Sequence, residues 1–330
     1  MVAVGLELSM LPEPGTGWVV AEGDRHHWSW ECGGNRWRGG PIVDDTTWFD
    51  LASLTKVLIT VPLTLRAMKE GAIEPETRLG RVGGRLAEAP VGRATVEQLL
   101  THTSGAPPEL EVVGELDDSL AALVMVDPGS VVYSDAGFIA LGRLLELVSG
   151  KVLHVLAREF AAEMGIGRDD IEFFEVEPGR WASTGPRLRG KVHDPAARSA
   201  GRLLGHSGCF TTLTGARRLL DFWLAPVPCY SALAASALRP RGEPRTGGHR
   251  GWGWALQGDD YACVPGWPAA TVSHTGFTGT AVAFDPDGGT FALVLSNAVA
   301  DGSGASLRWL RSMFASLAPS VNPSGRDGTV

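Results

Sequence analysis

The sequence predicts a mixed α/β fold of the α+β kind: an antiparallel sheet formed by N- and C-terminal strands, flanked by helices, with an inserted, mainly helical domain. Three observations predict it. Residues 16 to 33, TGWVVAEGDRHHWSWECG, alternate apolar and polar side chains around a Gly-Asp turn, as a two-stranded hairpin does. From residue 250 onward the runs GWGWAL, ATVSHTGF, TAVAFDP and TFALVLSNAV read as strands, with Pro-Asp-Gly-Gly at 286 to 289 joining the last two as a hairpin. Between these ends, apolar residues recur at helical spacing. At 330 residues the chain exceeds the usual size of one core. The expected division is 1–60 with 240–318 as the sheet domain, 61–239 as the helical domain and 319–330 as a flexible tail.

The elements follow in order. Residues 50 to 70 read as a helix with Asp50 as a possible cap, apolar positions at Leu54, Val57, Leu58, Val61 and Leu65, and Gly71 as its stop. Pro62 should kink it. ATVEQLLTHTSG, 94 to 105, is a short helix with Thr95 and Gln98 spaced for a capping box. GFIALGRLLELVSG, 137 to 150, is an amphipathic helix ending at Gly150. The stretch from 178 to 210 is rich in Gly, Pro and Arg and reads as a long structured loop of the kind that lines active sites. Trp252 and Trp254 are spaced for one face of a strand, and ASLRWLRSMFASL is a closing helix. No internal repeat is present.

Composition excludes several functions. A net charge of -8 is unsuited to neutralising phosphate, so no nucleic acid partner is expected. No apolar run approaches the length that spans a bilayer, and MVAVGLELSMLPEPG lacks the basic leader of a signal peptide, so the expectation is a cytoplasmic protein with no membrane partner. Cys32, Cys209, Cys229 and Cys263 form no CxxC pair, which predicts free thiols. His26, His27, His102, His193 and His206 lack metal-ligand spacing with a nearby third ligand, so turn, cap and loop hydrogen bonding is expected of them and no metal or cofactor. Arg187, Arg189 and Arg198 are expected on the solvated surface. Oligomeric state is open.

One short motif carries chemistry. Ser53 and Lys56 lie three apart in FDLASLTKVLIT, which on a helix brings hydroxyl and amine within hydrogen-bonding reach. Only four of the 29 basic residues are lysine, and lysine, unlike arginine, can give up its proton near neutral pH. Serine is a weak nucleophile that needs a neighbour to take its proton, a role lysine fills when its pKa is lowered. By itself an SxxK match arises readily by chance. Two further segments give it weight: VVYSDAGF, 131 to 138, places Tyr133 just before a Ser-Asp turn, and VSHTGFTG, 272 to 279, ends a strand with His-Thr-Gly, whose glycine lets a ligand lie against the strand edge.

SxxK, then YSD, then HTG in this order resembles the serine β-lactamase and penicillin-binding protein superfamily, nearest its class C branch with the related carboxylesterases, D-aminopeptidases and DD-peptidases. LLTHTSG at 99 to 105, YSDAGFIALGRLLELVSGK at 133 to 151 and VHDPAARSAGRLLGHSGCF at 192 to 210 add to the likeness, which spans about residues 15 to 315. The resemblance implies a β-lactamase/transpeptidase-like fold and a reaction through an acyl-enzyme without a cofactor. Ser53 is then the acylated nucleophile, Lys56 and Tyr133 the proton-handling pair, and the backbone amides of Ser53 and Phe277 the oxyanion hole. Asp135, His274, Thr275 and Gly276 would face substrate.

Two positions depart from the β-lactamase pattern. Asp135 stands where class C enzymes usually carry Asn, and His274 where they carry the Lys of KTG. Both changes disfavour a substrate carboxylate. The expectation is a carboxylesterase acting on small neutral esters, with a β-lactamase, DD-peptidase or D-aminopeptidase as alternatives. Outside the enzymes, the alternative is a penicillin-binding sensor that is acylated without turnover.

Overall fold

A computed structural model of the chain describes residues 16–177, 179–241, 249–301 and 307–318. The hairpin forms as its alternation predicts. β1 (Trp18–Asp24) and β2 (Trp28–Gly33) pair antiparallel with Trp18 opposite Gly33, and the Asp24 carboxylate accepts the amides of His26 and His27 at the turn. β3 (Phe49–Asp50) leads into α1 (Val61–Lys69), α2 (Val96–Leu100), α3 (Leu116–Ala121), α4 (Asp135–Ser149) and α5 (Leu153–Glu163). After β4 (Ile171–Phe173) come α6 (Pro195–Ala200), β5 (Cys209–Thr211), α7 (Leu213–Leu224) and α8 (Pro228–Ala237). The chain closes with β6 (Ala255–Leu256), β7 (Val272–Thr275), β8 (Ala281–Phe284), β9 (Thr290–Ser296) and α9 (Leu307–Ser316).

Six strands make one antiparallel sheet in the order β2-β1-β9-β8-β7-β6, so the first and last strands of the sequence pair side by side within it. Both faces are covered, and the period-2 alternation assigns the residues. Val19, Ala21, Val282, Phe284, Leu293 and Leu295 point into the large core shared with the helices. Trp18, Val20, Ala281, Ala283 and Val294 face the other way and pack with Leu310, Met313 and Phe314 of α9. A second, small sheet, β3-β5-β4, lies among the helices.

Several expectations need correction. The stretch from 50 to 70 is not one helix: Phe49 and Asp50 belong to a strand, Ser53 lies in a turn, and Lys56–Thr60 is a π turn ahead of α1. Pro62 explains the π turn. A proline ring clashes with the carbonyl four residues back, and widening the preceding turn relieves that clash. The Val61 amide accordingly reaches Lys56 O, and the Val57 carbonyl, left without an α-helical partner, accepts the Trp223 indole N–H at 2.9 Å. Pro62 then falls in the first turn of α1, where no N–H is needed. Asp50 does not cap a helix; its role appears at the site below.

The Thr95–Gln98 capping box forms as read. α4 starts two residues before the apolar periodicity does, because Ser134 caps it by accepting the Gly137 amide. GWGWAL yields a strand only at Ala255–Leu256: Gly253 takes φ +79, so Trp252 and Trp254 are both buried but share no strand face. The loop from 178 to 210 contains α6 and β5, and Arg198 is tied to the carbonyls of Val192 and His193 instead of lying free in solvent. The tail 319–330 lies outside the described residues.

Close backbone approach sets the packing that later positions Lys56. A Cβ on Gly205 would fall 2.0 Å from Phe138 O, and one on Gly142 would fall 2.8 Å from Gly205 Cα. Gly205 O accepts the Thr60 hydroxyl at 2.6 Å, joining α4, the π turn and this crossing segment. Gly205→Ala is expected to cost about 1–3 kcal/mol of stability through overpacking, seen as a lower thermal midpoint; an unchanged midpoint would show that the crossing is loose.

Candidate active site

The Ser53 turn is held from three sides. β3 pairs with β5, placing Phe49 opposite Thr211 and Asp50 opposite Phe210, and the Leu51 amide bonds to Cys209 O at 2.9 Å. On the far side, Thr278 and Thr280 donate their hydroxyls to Asp50 O and Leu51 O at 2.8 and 2.9 Å. The buried Asp50 carboxylate accepts the Ala52 amide at 2.9 Å with one oxygen and the His193 amide at 2.7 Å with the other. Ala52, just before the serine, takes φ +46, a conformation costly for a residue with a Cβ and held here by these contacts. Burial pushes the Asp50 carboxyl up to about 6, while the two amides pull the other way.

Gly276 has a tighter reason to be glycine than access for a ligand. A Cβ there would sit 2.1 Å from Thr280 Oγ1 and 2.6 Å from Leu51 O, so the end of β7 can close on the Ser53 turn only without one. Phe277 follows with an exposed side chain, its ring 5.3 Å from that of His193. Among the described residues, the amides of Ser53 and Phe277 have no hydrogen-bond acceptor.

The structure brings Ser53, Lys56, Tyr133 and Asp135 together. Lys56 Nζ is fully buried, 2.9 Å from Ser53 Oγ, 2.6 Å from Asp135 Oδ1 and 3.4 Å from His206 O. It also lies 5.0 Å from the Tyr133 ring centroid. Burial acts to lower the Lys56 pKa, but the Asp135 carboxylate and the Tyr133 phenol outweigh it, and the net direction is upward. Lys56 is therefore an ammonium at neutral pH, not the proton-releasing lysine that burial alone would make.

His274 is 3% exposed and its pKa lies well below the ordinary value, because of burial and then of the Lys56 and Arg250 charges. Its Nδ1 lies 2.9 Å from Thr275 O, which fixes the N–H on that nitrogen and leaves Nε2 as an acceptor. Thr275 ends β7 beside it, half-buried.

Sequence reasoning missed much of the surrounding shell. Arg250, 3% exposed, grips Asp259 with two contacts of 3.0 and 3.1 Å, and its guanidinium faces the rings of Tyr133 and Tyr261 at 5.7 and 5.2 Å. Tyr261 stacks on Tyr133 at 5.4 Å. His102 packs against Tyr133 on another side. The one available signal for Arg250 was a lone charge beside buried tryptophans in HRGWGW. Chain spacing also hid a cluster: ligand atoms of Asp135, Asp194 and His206 come within 4.8 Å of one another. The Lys56 ammonium, hydrogen-bonded to Asp135, already brings a positive charge to this group.

The beta-lactamase family model matches residues 9–314. A protein of Escherichia coli (strain K12) with the provisional name D-alanyl-D-alanine carboxypeptidase is 28% identical over 307 residues, covering 76% of this chain and 69% of that protein. Among solved structures, a class C beta-lactamase from Rhodobacter sphaeroides superposes with a TM-score of 0.72 at 20% identity, covering 91% of this chain and 93% of that one. EstCE1, a hydrolase with promiscuous acyltransferase activity, gives 0.72 at 19% identity, with 90% and 93% covered. At these identities the structural likeness establishes the fold alone.

Asp194 supplies a stability test of the shell. Burial raises its carboxyl, but the His206 contact at 2.9 Å, the Ala197 amide and Lys56 hold it at about 2, below the ordinary 3.8. A carboxylate depressed in this way adds stability above its ordinary pKa, and that contribution is lost as pH falls towards the folded value. Asp194→Asn should cost about 2 kcal/mol at neutral pH, a difference that shrinks in acid denaturation titrations. Equal stability at neutral pH would contradict the assignment.

Proposed function

The chain belongs to the beta-lactamase family, within the serine hydrolase superfamily of β-lactamases and penicillin-binding proteins, and from that premise we propose that it works through an acyl-enzyme on Ser53, with small neutral esters as its best substrates. The observation that carries this reading is the position of the Lys56 ammonium, buried between the Ser53 hydroxyl and the Asp135 carboxylate. An ammonium cannot accept the serine proton. The base is then Tyr133, acting as phenolate with its ring 5.0 Å from the Lys56 ammonium, and as phenol it returns the proton to the leaving group. In the second half-reaction Tyr133 activates water against the acyl-enzyme. The unspent amides of Ser53 and Phe277 are suited to receive the oxyanion; losing one such donor typically costs about 3 kcal/mol of transition-state stabilisation.

The preference for neutral substrates rests on charge balance. Lys56 is matched by Asp135 and Arg250 by Asp259, while His274, where the class C pattern has lysine, is neutral. No unmatched cation among these groups awaits a substrate carboxylate, and burying a carboxylate without one is costly. The exposed rings of Tyr261 and Phe277 offer apolar contact. The name of the Escherichia coli relative favours a second reading, a peptidase acting on peptides that end in a carboxylate, and Asp135, about a quarter exposed, leaves a D-aminopeptidase open through a substrate amine. Four free thiols suit a reducing, cytoplasmic setting.

The test is a panel of p-nitrophenyl esters, D-amino-acid anilides, a D-alanyl-D-alanine peptide and nitrocefin. Short neutral esters are expected to give the highest kcat/KM, and Ser53→Ala should lower it by about a thousandfold or more. Nitrocefin or the peptide turning over fastest would reverse the substrate reading, and a stable adduct without turnover would indicate a sensor. Asp135→Asn, which leaves Lys56 unmatched, is expected to raise activity on carboxylate-bearing substrates relative to esters; an unchanged ratio would argue against the charge-balance account.

A further inference from the structure

We propose that His102 is a positioning residue that fixes Tyr133 in its working orientation, an inference that rests on Tyr133 being the base. His102 follows the C-terminal end of α2 with φ +58, an unusual conformation for a residue with a side chain. From it, one residue brackets the tyrosine along the chain. The His102 carbonyl accepts the Val132 amide at 2.9 Å, and its Nδ1 accepts the Ser134 amide at 3.0 Å. Its ring lies against the Tyr133 ring, 4.6 Å between centroids at 32°, and is backed by Phe138 at 5.1 Å. The residues before and after the phenol are thus hydrogen-bonded to the same side chain and backbone that the phenol packs on.

Neighbouring bonds extend the same cradle. Gly129 N donates to Thr103 O at 2.8 Å, Ser134 Oγ to Pro107 O at 2.5 Å and Asp135 N to Pro108 O at 2.7 Å. The segment from 102 to 108 therefore dictates the path of 129 to 135. Accepting an amide at Nδ1 requires that nitrogen to be unprotonated, so His102 is neutral with its proton on Nε2. Burial, then the charges of Arg250 and Lys56, keep it so, with a pKa well below the ordinary value.

An ordinary core histidine would fill space, and phenylalanine could replace it. A positioning histidine needs its acceptor. Asparagine presents an oxygen close to where Nδ1 sits and tolerates the left-handed backbone, while losing the ring. The experiment compares His102→Asn, His102→Phe and His102→Ala with Tyr133→Phe as a control. Rates on p-nitrophenyl butyrate are taken per active site titrated with a fluorophosphonate, and thermal melts report folding. The groups facing the phenol are the Lys56 and Arg250 cations, the neutral His102 and His274, and Tyr261, with Asp135 and Asp259 behind the two cations.

His102→Phe and His102→Ala are expected to lower kcat/KM about tenfold or more, the loss falling on kcat with KM little changed, because a displaced phenol still lets substrate bind but no longer meets the serine proton. His102→Asn, which restores the acceptor, should keep most of kcat. If folded Phe and Ala variants keep wild-type rates, or if His102→Asn loses kcat as they do, His102 does not position the base and the inference fails. If Tyr133→Phe keeps full activity, it is the assignment of the base that fails.

Discussion

A buried ammonium is the constraint around which this molecule is arranged. Lys56 has no exposed surface, and a charge taken out of water must find partners or give up its proton. Here it finds them: a carboxylate at 2.6 Å, a hydroxyl at 2.9 Å and a backbone carbonyl at 3.4 Å. The first comes from the start of α4, the second from its own turn, the third from the segment after α6. One side chain therefore requires two distant stretches of chain to come into register with its own turn before its charge is tolerated. Removing any partner from such a site typically leaves a penalty larger than the pair's own net value.

The rest of the fold supplies that register. The first and last strands pair within one sheet, and another strand of that sheet, β7, carries the Gly276–Phe277 corner against the Ser53 turn. Asp50 couples this turn to the His193 loop through two amides, and the glycine contacts at 142 and 205 let α4 close on the π turn. The site is thus assembled from places where backbones approach more closely than a side chain would allow.

The sequence made the hairpins, the capping box and the three short motifs legible because each is local: alternation, a four-residue cap and a spacing of three carry their own physical meaning. It also placed helices between the strands. What escaped it depends on distance along the chain. Nothing in residues 50 to 70 shows that Pro62 would widen the preceding turn instead of kinking the helix, since the Val57 carbonyl finds its partner 166 residues away in Trp223. Asp50 reads as a cap until His193 arrives from 143 residues on. The same holds for the electrostatics. A lysine beside a serine reads as a base, and only the folded pairing with Asp135 turns it into an ammonium.

The central claim is that a fully buried Lys56 ammonium makes the Ser53 hydroxyl reactive through its neighbours. Peptide mapping by mass spectrometry, after equal exposure of the wild type and Lys56→Met to a fluorophosphonate, tests it most directly. The account predicts a single modified residue, Ser53, in the wild type and labelling slowed by orders of magnitude in the variant. Modification elsewhere, or labelling at an undiminished rate in a folded Lys56→Met protein, would contradict it.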